Sequence, residues 1–145
     1  MNMETIEMAL REARPSFYQY PFPVKVYWHW TGGHRFTSFN DYHFCIDGDG
    51  EIIHSLPLSY IPTATYHRNT GSIAIALCCC YGAEAFRGNP FYCNLGDEPP
   101  TDAQVESLAM LSAKIADVFD IPIDIEHFMT HAEAADNMDG YNAHE

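Results

Sequence analysis

Histidine is the residue type with the most chemistry to offer in this chain, and its eight copies fall into different settings. His29 stands inside VYWHWTGG, a run of β-branched and aromatic residues closed by glycines, and His131 stands in MTHAEA beside small and hydroxyl residues. Each marks the end of a strand-like run, where a ring can point off a sheet edge into a cleft. Two imidazoles meeting in this way are the beginning of a zinc site. In catalytic sites that metal takes three protein ligands, with nitrogens at about 2.0–2.1 Å, and keeps a fourth position for water. On spacing alone, a pair of satisfied core histidines competes with this reading. His34, His54 and His144 lie in polar or turn-like stretches and read as solvated side chains, whereas His127, ahead of Phe128 at a strand start, reads as packing.

Rings placed like this need a sheet to carry them, and the rest of the chain reads as one. METIEMALREA repeats apolar residues at helical spacing and predicts a short amphipathic helix over 3–13, stopping before Pro15. Lys25 to Trp30 form a first strand of the kind buried on both faces, and TGG turns the chain after it. YHFCIDGDGEIIHSLP predicts a hairpin, since Asp-Gly supplies the positive φ that tight turns require. GSIAIALCCCYGA reads as a central strand, and EAFRGNPFYCNLGDEPP as a long surface loop. In TDAQVESLAMLSAKIADVFDI, Thr101 is an N-cap with Gln104 in the capping-box position. Val105, Leu108, Leu111, Ile115, Val118 and Phe119 mark the apolar face of that helix. IPIDIEHFMTHAEA reads as a final strand running into His131. This order predicts an α/β domain, a central mixed β-sheet flanked by helices.

Composition narrows the partners. Twenty acidic residues against seven basic ones give a net charge of -13, which repels nucleic acid and anionic membrane surfaces alike. No stretch approaches the roughly 20 apolar residues of a spanning helix, and MNMETIEMALREARP lacks the regions of a signal peptide. The expectation is a single domain over 1–145, with residues 1–24 as an N-terminal helix and Pro-rich lead-in, made in the cytoplasm and acting as a monomer. The five cysteines, three of them adjacent in LCCCY, do not suit a disulfide framework and read as buried thiols on a core strand in a reducing compartment, with a catalytic or metal-binding use of the triplet as the alternative. A cysteine hydrolase using Cys45 or Cys93 with a nearby histidine fails on context, since Cys45, inside FCID, lacks the exposure and electropositive setting of a nucleophile.

VYWHWTGG, DYHFCIDGDGEI, YHRNTGSIAIAL and MTHAEA, in this order and with these gaps, resemble the zinc-dependent N-acetylmuramoyl-L-alanine amidase family. That family includes phage lysozyme-type amidases and the animal peptidoglycan recognition proteins. The resemblance runs from about Lys25 to Asp139. It implies the same mixed sheet with flanking helices, Zn2+ as cofactor and peptidoglycan or muropeptide as substrate. The bond implied is the amide between N-acetylmuramic acid and L-alanine. Carried over by position, His29 matches the first zinc ligand and His131 the second, in the loop after the last strand. Tyr42 matches a tyrosine lining the catalytic cleft, and His67 a histidine on the substrate side of the metal. Asn69 and Ser72 match residues that hold loop and strand together, and His43, facing away from Tyr42, reads as structural.

The resemblance also implies a third ligand, a cysteine or aspartate a short way beyond the second histidine. Asp139, eight residues past His131, is the candidate, with Asp136 and Glu133 as alternatives. Some phage-type relatives carry this aspartate later, in a Trp-Asp motif, which would place it in a segment after Glu145. Where the family often has a lysine two residues before this ligand, the chain has Asn137, and where some relatives have a glutamate after the Ser-Ile piece it has Ala76, Leu77 and Cys78. Two functions are therefore expected to compete. One is a zinc amidase acting on the cell wall, as in a phage lysin, and the other is a non-catalytic module that binds muropeptide in the same cleft.

Overall fold

A computed structural model of the chain describes residues 1–86, 89–136 and 138. The main sheet is arranged around β1 (Lys25–Trp30), with the order β3-β2-β4-β1-β7, where β2 is Phe44–Ile46, β3 Ile52–His54, β4 Ser72–Leu77 and β7 Phe128–Thr130. β2, β4, β1 and β7 run parallel, and β3 is antiparallel to β2. The hairpin forms where Asp-Gly predicted it. Asp47 Oδ1 accepts from the Asp49 and Glu51 amides, and Gly50 takes a φ of +84°, which a side chain would resist.

Alternation along the strands sorts two faces. Val26 and Trp28, with Ile73, Ile75, Phe44 and Ile46, face α1 (Met3–Phe17) and α2 (Asp102–Phe119), where Ile6, Leu10, Leu111 and Ile115 complete the main core. Tyr27, His29, Ala74, Ala76, Cys45 and Met129 share the other face. There the alanines of β4 sit directly beside Tyr27 and His29 in register.

Four expectations are corrected. α1 continues through Pro15 to Phe17, because the buried Phe17 ring packs edge-on against Phe119 at 5.4 Å and holds the last turn despite the missing amide hydrogen. The Gly-, Pro- and Asn-rich stretch contains a two-stranded ribbon, β5 (Glu84–Phe86) and β6 (Asn89–Asn94). The final strand is only three residues long, and His131 opens a short helix, α3 (His131–Ala135), instead of a loop. Finally, Val105 is 54% exposed, while Gln104 is fully buried.

Gln104 explains that last shift. Its Oε1 accepts from the Thr101 amide in the expected capping box, and its Nε2 donates to the Ile46 and Cys78 carbonyls at 3.0 and 2.8 Å. The amide thus ties the start of α2 to the ends of β2 and β4. Gln104→Ala removes these bonds from a water-free position, and an expected loss of about 2–3 kcal/mol should appear as a lower urea midpoint with an unchanged slope. A loss below about 0.5 kcal/mol would mean that the tie contributes nothing. Among the described residues, no helix is long and apolar enough to cross a membrane.

Candidate metal centre

Strand register brings the two strand-end histidines together. β1 and β7 pair in parallel with Val26 opposite Phe128 and Trp28 opposite Thr130, so one further step sets His29 beside His131. Lys25 Nζ donates to the Glu126 carbonyl and the Val26 amide to that of His127, which fixes the start of β7. At its other end Thr130 caps α3. Its hydroxyl accepts from the Glu133 amide, while Glu133 Oε1 accepts from the Thr130 amide and hydroxyl. This capping box turns the chain immediately at His131.

The rings of His29 and His131 meet nearly perpendicular, with Nδ1 facing Nδ1 at 3.1 Å. Two nitrogens on a tetrahedral zinc at about 2.0–2.1 Å would lie about 3.3 Å apart, so this spacing suits a shared metal. Burial, and then the nearness of His131, hold the His29 pKa down at about 3, and burial lowers that of His131. Both rings are therefore neutral at neutral pH, the form that binds metal. The donor set fits zinc as far as these two ligands go.

Tyr42 stands next to them, its ring centroid 5.4 Å from that of His29. It packs on Cys45, Ala76 and Cys78. Burial first, then Asp41, Cys45 and Cys78, push its phenol up to about 12, so it stays protonated and can donate a hydrogen bond. The cysteine triplet lies just past the end of β4 and not within it, and all three side chains are fully buried.

His67 lies in the loop between β3 and β4 at a φ of +57°, its ring against Tyr66 at 3.8 Å. Thr65 of this loop touches the histidine pair, its Oγ1 3.0 Å from His29 Nε2. Sequence reading passed over it, because a threonine in TATYH carries no signal of its own. Asn69 and Ser72 do hold the loop. Asn69 Oδ1 accepts from the Ala64 and Thr65 amides, and Ser72 Oγ donates to the Asn69 carbonyl. His43 is a fully buried brace, with Nε2 on the Tyr60 carbonyl at 2.8 Å and Nδ1 accepting from the Ala74 amide.

Asp139, Asn137 and His144 lie outside the described residues. Of the alternative ligands, Glu133 has its carboxylate in the capping box, and Asp136 is exposed at the end of α3. His34 and His54 are not simply solvated. His34 pairs with Glu98 at 2.6 Å and stacks on Tyr81, and His54 stacks on Phe44. Asp124, Glu126 and His127 form a second, mostly exposed group with ligand-type atoms within 4.8 Å of one another. Asp124 Oδ1 already accepts from the Glu126 and His127 amides and contacts His127 Nδ1 at 2.6 Å, so the group serves as a brace for the loop leading into β7.

No match to a curated protein was found. Among solved structures, the chain is similar to the Ph2119 endolysin from Thermus scotoductus MAT2119 bacteriophage Ph2119, at 17% identity and a TM-score of 0.56, over 83% of each chain. That likeness bears on the fold, a mixed five-stranded sheet with helices. The family model for N-acetylmuramoyl-L-alanine amidase matches residues 18–142, nearly the whole chain and the full span from β1 to His131. With that match over the segments that carry the histidine pair, the chain belongs to the N-acetylmuramoyl-L-alanine amidase family.

Proposed function

We propose that the chain is a zinc-dependent N-acetylmuramoyl-L-alanine amidase. It would hydrolyse the amide joining the lactyl group of N-acetylmuramic acid to the L-alanine of the stem peptide in bacterial peptidoglycan. The observation that supports this most is the facing of two neutral imidazole nitrogens at 3.1 Å. His29, His131 and Asp139 would hold the metal. When bound, zinc lowers the pKa of a water to about 7 and polarises the scissile carbonyl. Tyr42, protonated throughout the neutral range, donates its phenolic hydrogen to the oxygen that gains charge as the carbonyl is attacked. His67 would stand on the substrate side of the metal. The family membership, with a phage endolysin of similar fold, makes degradation of the bacterial wall the role that fits.

The test is metal analysis of the purified chain, alongside release of L-alanine-headed peptides from peptidoglycan. One zinc per chain is expected, with release lost on chelation and restored by adding zinc back. Muropeptide binding that survives chelation, with no release under any condition, would instead identify a binding module.

A further inference from the structure

We propose that Thr65 is a positioning residue for this metal centre. Its hydroxyl accepts the Nε2 hydrogen of His29 and so selects the tautomer whose bare Nδ1 faces His131. The inference rests on the zinc reading above. A neutral imidazole carries its hydrogen on one nitrogen or the other, and only the deprotonated one can bind metal. Metal-binding histidines usually donate their second ring nitrogen to a carboxylate, a carbonyl or water. His29 Nε2 instead meets a threonine hydroxyl at 3.0 Å, in a position where Thr65 is only 3% exposed.

The loop is built to hold that hydroxyl still. The Thr65 amide donates to Asn69 Oδ1 at 2.8 Å, the Thr65 carbonyl accepts from the Arg68 amide at 3.0 Å, and the Asn69 carbonyl is tied to both the amide and the hydroxyl of Ser72. Ser72 opens β4, the strand that lies beside β1. A chain of contacts thus runs from the sheet through Ser72 and Asn69 to Thr65 and back to His29. It gives the Asn-x-x-Ser piece a task beyond shaping the loop, namely setting the ring of the first ligand.

Thr65→Val keeps the branched shape and removes the hydroxyl, while Thr65→Ser keeps the hydroxyl. Zinc affinity, measured by competition with a chromogenic chelator, is expected to fall about 10- to 100-fold in Thr65→Val and to stay within about threefold of wild type in Thr65→Ser. Wild-type affinity in Thr65→Val, or an equal loss in both variants, would overturn the proposal. A second measurement needs no variant, since long-range proton–nitrogen spectra of the metal-free wild type should show His29 protonated at Nε2. Protonation at Nδ1 would overturn it even if Thr65→Val does not fold. If the wild type binds no zinc, the zinc reading fails, and the tautomer still decides the role of Thr65.

Discussion

His29→Ala is expected to leave the chain without zinc and to lower peptide release by at least about 10⁴-fold, into the uncatalysed background. The ring is 8% exposed and supplies one of the two nitrogens that face each other at 3.1 Å. Its loss leaves His131 without the facing nitrogen, and its register partner in β4, Ala76, carries no group that could take its place. The informative control is His127→Ala. His127 belongs to the exposed Asp124, Glu126 and His127 group, the other place among the described residues where a metal could sit. Metal content should be unchanged in His127→Ala. Retention of zinc in His29→Ala, with loss in His127→Ala, would move the metal to that group and remove the basis of the proposed mechanism.

Tyr42→Phe is expected to lower kcat by about 10²- to 10³-fold, with KM and zinc content nearly unchanged. The phenol lies beside His29, and its raised pKa keeps it a donor at every pH where the enzyme would work. A donor aimed at charge that develops only during attack changes the rate and not the affinity for substrate. The ring itself remains in the phenylalanine variant, so its packing on Cys45, Ala76 and Cys78 is kept. A rise in KM with kcat intact would show that Tyr42 holds substrate instead.

Much of the fold could be read from the chain because its signals were local. Lys25–Trp30, the Asp-Gly hairpin and the Thr101 to Gln104 capping box each depend on residues a few positions apart, and each appears where it was expected. What escaped depended on distant contacts. Val105 looked like a core residue by periodicity, but the carbonyls of Ile46 and Cys78 needed a donor and drew Gln104 inward instead. Phe17 carries α1 past a proline only because Phe119 is there to meet it. In the site, His29 could be singled out because histidine is costly inside an apolar strand unless its nitrogens are used, and His131 because it follows a strand-like run beside small residues. Thr65 could not, since its role comes wholly from what the folded loop sets beside it.

The last strand carries a consequence for when the protein can work. β7 is three residues long and, among the described residues, lies at the sheet's edge with a partner on one side, yet it delivers His131 to a histidine 102 residues earlier in the chain. A pairing so distant in the chain raises the contact order, which slows folding. Short edge strands also open more readily than central ones. The centre therefore behaves as a clasp between β1 and β7. Phe128 anchors that strand in the main core and Thr130 caps the helix after it, so lifting of β7 from β1 is the motion that would part the two rings.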